Sequence, residues 1–206
     1  MELIHAIENR VSVRSFTAEP VGRKDLEELV RRAGLAPSIN NSQPWKFVVI
    51  TKRELLKEMA AAVSNALGEL PVKDKEDLNH AFLSRIEWYS TFFEDAPAVI
   101  ALLMKPYISV LEKGADLTHE EIDNIRNRPD MQTAGAAIQN ILLSAVDLGL
   151  GACWMSAPMI ARPALESLLQ VEEPYKLITF VAVGKIFGAP ARKSKKSVGE
   201  IIRFID

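Results

Sequence analysis

Apolar residues return every three to four positions over several stretches, and each such stretch predicts a helix with one buried face. Residues 2–9 carry Leu3, Ile4 and Ile7 on one side, and residues 23–33 carry Leu26, Leu29 and Val30. Gly22 precedes the second helix and Gly34 ends it, as a left-handed cap would. Residues 52–67 are rich in Ala, Leu, Lys and Glu, and 75–93 place Leu78, Phe82, Ile86, Tyr89 and Phe93 at helical spacing. The longest helix opens at Pro129, whose missing N–H costs nothing in a first turn, and runs to about 148. Met131, Ala134, Ile138, Ile141, Leu142, Ala145 and Leu148 form its stripe. Its other side is small (Thr133, Ala136, Ala137, Ser144), so burial on more than one side is expected. Gly149 stops it, and another helix is predicted over 158–169.

Short apolar runs alternate with these helices. Residues 45–51 (WKFVVIT), 97–104 (PAVIALLM), 151–155 and 176–183 (KLITFVAV) read as strands. The second is apolar throughout, as a central strand covered on both faces would be. The tail after Gly188 ends in a short predicted strand. Strands alternating with helices give an α+β fold, an α/β sandwich with helices flanking a central sheet; the pattern leaves parallel and mixed pairing open. Residues 105–128 fit neither period; with Pro106, Gly114 and many charges they read as a mobile excursion near a site or interface. The length of 206 residues suits a single domain, 1–206, with a sizeable core.

Composition narrows the function. A net charge of −2 argues against general binding of nucleic acid or anionic membranes, so basic residues matter only where they cluster. No apolar run approaches the roughly 20 residues of a membrane helix, and no basic leader with an apolar stretch opens the chain. The single cysteine, Cys153, excludes an intramolecular disulfide and suits a reducing cytoplasmic setting. His5, His80 and His119 share no ligand spacing, so no metal site is expected. Zinc-protease, Walker and nucleophile-elbow motifs are absent. Gly149-x-Gly151 begins like a dinucleotide fingerprint, but Trp154 takes the third glycine's place and the run follows a helix rather than opening one. Cys153 lacks a histidine partner in the pattern and reads as an inert core thiol. With no catalytic side chain evident, a cofactor carrying the chemistry is the natural expectation.

The segment Arg10-Val11-Ser12-Val13-Arg14-Ser15-Phe16 offers a place to hold one. If extended, it puts Arg10, Ser12 and Arg14 on one side, roughly 6–7 Å apart in turn, and Val11 and Val13 on the other. Two guanidinium forks flanking a hydroxyl suit a phosphate dianion. The same pattern also arises on an ordinary solvated edge.

This segment, together with "PSINNSQPW" (Pro37 to Trp45) and "GLGACW" (Gly149 to Trp154) in that order, resembles the FMN-dependent nitroreductase family over essentially the whole chain. The resemblance implies a domain-exchanged homodimer with FMN sites at the subunit interface and no catalytic side chain, the chemistry lying on FMN. It implies that Arg10, Ser12 and Arg14 hold the phosphate. Pro37, Ser38 and Asn41 reach the flavin of the other subunit, and the backbone of Met155, Ser156 and Ala157 meets the ring near its reactive nitrogen. Lys193 and Lys195 stand where relatives carry basic phosphate contacts, but Ser197 replaces a common proline and lysines replace an expected arginine, so a solvated basic run is the other reading. Trp88, Tyr89, Phe92 and Phe93 either wall an apolar pocket over the flavin or form a core stripe. The implied activity is ping-pong hydride transfer from NAD(P)H through FMN to a nitroaromatic, quinone or enone. Alternatives are a same-fold deiodinase or dimethylbenzimidazole synthase, or a non-catalytic flavin-binding module.

Overall fold

The protein is described from a computed structural model, over residues 2–71 and 80–205. Eight helices are recorded among these residues: α1 (Leu3–Asn9), α2 (Arg23–Ala33), α3 (Arg53–Gly68), α4 (His80–Thr91), α5 (His119–Ile125), α6 (Pro129–Asp147), α7 (Arg162–Leu168) and α8 (Val198–Ile201). The strands are β1 (Trp45–Ile50), β2 (Ala98–Met104), β3 (Gly151–Met155) and β4 (Lys176–Gly184). They form one sheet in the order β1-β2-β4-β3, antiparallel throughout.

Every residue of β2 is buried, which explains its unbroken apolar sequence: both faces of this central strand are covered. One face packs on α3 and α7 through Leu56, Met59, Val63, Phe93, Leu165 and Phe180. The other packs on α2 and α6 through Leu29, Ile100, Leu102, Ile138, Ile141 and Val181. The small residues of α6 let it serve two neighbours, α2 and β3. Arg32 ties α2 to α6 through Asp147 at 2.6 Å.

Several expectations need adjustment. Gly34 is right-handed (φ −65°), so it is not a left-handed cap, whereas Gly149 after α6 has φ +71°. The helix expected over 158–169 is a 3-10 turn, Ala157–Ala161, followed by α7, which restarts with Pro163 in its first turn. Of the helix expected over 75–93, Leu78 lies outside the described residues. Its end is also shorter, since α4 gives way to a 3-10 turn at Phe92–Asp95. Residues 105–128 contain a 3-10 turn (Val110–Lys113) and α5, each opened by a capping box, from Ser109 with Glu112 and from Thr118 with Glu121. After α8 the backbone is extended at Ile202, but no strand pairs with it among the described residues.

Candidate functional site

The Arg10–Phe16 segment runs along the outer edge of β3. Ser12 bridges Ala152 in parallel, and the Val13 N–H donates to the Ala152 carbonyl at 3.0 Å. Further on, Phe16 bridges Ile186, and the Thr17 and Phe187 amides bond across at 2.9 and 3.0 Å. Val13 is buried beneath while Ser12 is exposed, as the alternation read from the sequence has it, but Val11 is only half-buried, like Arg10 and Arg14. Gly151 makes the seat possible. A Cβ there would lie 2.8 Å from both Cγ atoms of Val13 and from Ile186 Cγ1.

Burial pushes the Cys153 thiol up, while the charges of Arg14 and Arg10 and the Ser12 hydroxyl act in the opposite direction. Arg14 also stacks on Tyr89 of α4, its Cζ 5.3 Å from the ring centroid, and Arg85 stands 5.7 Å from the same ring. The aromatic quartet splits: Phe92 and Phe93 belong to the core, whereas Trp88 and Tyr89 are exposed beside the arginines.

β3 ends at Met155, and Ser156 and Ala157 are exposed just beyond it. Their N–H groups find no acceptor among the described residues. Four residues of strand, roughly 13 Å, separate Ala152 from Ser156. One edge thus presents a cationic cluster and, farther along, two free backbone donors. Thr179, which sequence reasoning missed, joins the end of this strand: its hydroxyl donates to the Met155 carbonyl at 2.7 Å and accepts from Trp154 Nε1 at 2.9 Å. The signal was present, since Thr179 is the one hydroxyl in an apolar strand.

The loop holding Pro37, Ser38 and Asn41 lies elsewhere. It leads into β1, at the opposite edge of the sheet from β3, about three strand spacings or 14 Å away. Asn40, Asn41 and Gln43 all have left-handed backbones (φ 51°, 50° and 43°), a costly arrangement that asparagine tolerates best. Internal bonds hold it: Gln43 N–H to Ser38 Oγ at 3.0 Å, Asn41 N–H to the Ser38 carbonyl at 3.0 Å, and Gln43 Nε2 to Asn41 Oδ1 at 3.3 Å. The Ile39 N–H docks on Thr133 of α6 at 3.2 Å, and Asn40 Nδ2 reaches the Ile108 carbonyl at 3.4 Å. The structure does not bring this loop to the arginine cluster within one chain.

The basic tail does return to the cluster. Arg192 donates to Asn9 Oδ1 at 2.8 Å and to the Glu8 carbonyl at 3.3 Å, next to Arg10. Lys193 and Lys195 follow, exposed. No group of three or more His, Cys, Asp or Glu among the described residues is placed to hold a metal. No described helix is long and apolar enough to cross a membrane.

Comparison with known proteins agrees with this fold. A "Putative NADH dehydrogenase/NAD(P)H nitroreductase" of Archaeoglobus fulgidus is 28% identical over 89% of this chain and 84% of its own length. The iodotyrosine deiodinase of Nematostella vectensis is 30% identical over 89% of this chain but 66% of its own length. Among solved structures, a BluB-like flavoprotein of Clostridium difficile 630 superposes with a TM-score of 0.87 at 33% identity, covering both chains fully. A nitroreductase of Bacteroides fragilis, solved with bound FMN, shares the fold with a TM-score of 0.74 at 21% identity. Residues 7–185 match the Nitroreductase family, and the chain belongs to that family.

Proposed function

We propose that the protein is an FMN-dependent NAD(P)H oxidoreductase working as a homodimer. The observation that carries this reading is the β3 edge, where the segment of Arg10, Ser12 and Arg14 bridges Ala152 at one end and the free Ser156 and Ala157 N–H groups stand at the other. That donor set fits a cofactor with a phosphate at one end and an electron-accepting ring at the other. Held there by Arg10, Ser12 and Arg14, FMN would supply the redox chemistry, a hydride transfer between NAD(P)H and a small electron-poor acceptor such as a nitroaromatic, quinone or enone.

The chain's own residues bind and orient. Arg10 and Arg14 offer planar forks to phosphate oxygens, and Ser12 adds a hydroxyl between them. Lys193 and Lys195 bring two more cations, with Arg192 setting their register against Asn9. The Ser156 and Ala157 N–H groups favour negative charge at the ring edge, as preorganised donors do in an oxyanion hole. Pro37, Ser38 and Asn41 sit too far across the sheet to serve the site of their own chain, and they serve the partner's. Both substrates use one exposed face in turn, which gives ping-pong kinetics.

The dimer reading draws support from apolar surface. The tail leaves Val198, Ile201, Phe204 and Ile205 largely exposed. Outside β1 lies a groove of about 1410 Å³ whose walls include Val21, Leu26, Val30, Phe47 and Val49. An open strand edge beside an apolar groove invites an exchanged segment. We assign the partner's tail to it.

Purified protein is expected to be yellow, to retain FMN and to be bleached anaerobically by NADH or NADPH. A colourless protein that takes up no added FMN ends this reading, and bound FMN that neither nicotinamide reduces leaves a non-catalytic flavin module. The deiodinase relatives favour a second reading. Dehalogenation of an iodinated phenol without nitrofurazone or quinone turnover would select it.

A further inference from the structure

Thr179 is 2% exposed, in a strand whose neighbours are apolar. Its single hydroxyl proton goes to the Met155 carbonyl at 2.7 Å, leaving a lone pair for the Trp154 indole N–H at 2.9 Å. In a trans peptide the carbonyl and the next N–H point in opposite directions within one plane. Holding the Met155 carbonyl therefore fixes the direction of the Ser156 N–H.

That direction follows from the ladder. Backbone groups along a strand face alternate sides. The Ala152 carbonyl faces outward, where it accepts from the Val13 N–H of the arginine segment. Residues 154 and 156 repeat that orientation, so the Ser156 N–H faces the arginine side and the Met155 carbonyl faces β4. The β3–β4 ladder has its last pair at Met155 and Phe180. A pair whose backbone groups face each other exchanges both ladder bonds, so the Met155 carbonyl also meets the Phe180 N–H, and the Thr179 hydroxyl is the second restraint on the Met155–Ser156 plane.

We propose that Thr179 is a positioning residue that aims the Ser156 N–H at the cofactor ring and thereby tunes how readily the bound ring is reduced. The proposal rests on the FMN reading above. A donor locked in place stabilises developing negative charge without reorganising, and a peptide plane held only by the last bond of a ladder is locked less firmly. Val at this position keeps the shape but removes the hydroxyl, while Ser keeps the hydroxyl.

The test is the two-electron midpoint potential of the FMN-loaded protein, measured anaerobically against a reference dye, for wild type, T179V and T179S. T179V is expected to disfavour reduction about tenfold, a shift of about 30 mV to more negative potential, while its FMN Kd changes by less than that factor. T179S is expected to lie within threefold of wild type. If T179V does not fold, T179C, whose thiol is a weak donor, is expected to shift the potential in the same direction. A T179V (or T179C) potential equal to wild type, or a T179S shift as large as that of T179V, overturns the role of Thr179 and leaves the FMN reading intact. Wild-type protein that takes up no FMN overturns both.

Discussion

Arg14 stands where two elements meet, anchored on the edge of β3 and stacked on Tyr89 of α4. A charge-assisted bond is worth roughly 1.5–3 kcal/mol, so Arg14→Ala is expected to weaken FMN binding by about ten- to a hundredfold. Fluorescence titration reads the loss, and gel filtration should show the dimer intact; unchanged flavin affinity would remove Arg14 from the clamp. Gly151 is the second sensitive position. Its Ala variant puts a methyl against both Cγ atoms of Val13, which has no rotamer free of the clash. Gly151→Ala is expected to cost about 1–3 kcal/mol in denaturant unfolding and to loosen FMN as well, because the arginine segment must lift. The alternation of Arg10, Ser12 and Arg14 against Val13 was readable from the sequence because period two needs no tertiary knowledge. Thr179 and Gly151 were not, since their roles depend on which strand lies beside which.

At the level of elements, α2 and α6 are joined through charge as well as packing. Glu28 accepts from both Arg31 and Arg32, and those bonds hold its carboxyl at about 2, well below the usual 4.5. Arg32 bridges onward to Asp147, whose carboxyl is likewise held low by that arginine. A carboxylate with a lowered folded pKa stabilises the fold above its unfolded value and loses that contribution as pH falls towards the folded one. Acid unfolding curves should therefore differ between wild type and Glu28→Gln between about pH 4.5 and pH 2, with the variant less pH-dependent. The difference will be small, because the group is only half-buried and solvent screens it. Matching slopes would show that the cluster carries no linkage. Helices and strands with a clear period were legible here. The region 105–128 was not, because its turn and α5 are set by the capping boxes at Ser109 and Thr118, and short helices carry too few residues for periodicity. Phe92 and Phe93 lie in the core, one of the two readings the sequence allowed, but a 3-10 turn after α4 carries them there in place of the predicted helix.

For the whole molecule, the order β1-β2-β4-β3 leaves β1 at an open edge beside an apolar groove, while the tail finds no cover of its own. Deleting residues 198–206 is expected to shift the protein towards monomer in sedimentation velocity and to lower FMN occupancy with it. A truncated protein that stays dimeric would place the interface elsewhere. The strand-helix alternation announced the sheet but not its pairing, because hydrophobic pattern records burial and not direction. Placing the loop of Ser38 and Asn41 on the far edge from Arg14 carries a genetic consequence. A chain crippled at Arg14 and a chain crippled at Asn41 should each be inactive alone, yet mixed pairs of the two would assemble one undamaged centre from the healthy halves. Two null alleles expressed together would complement each other, recovering up to half the normal number of centres in every hybrid pair.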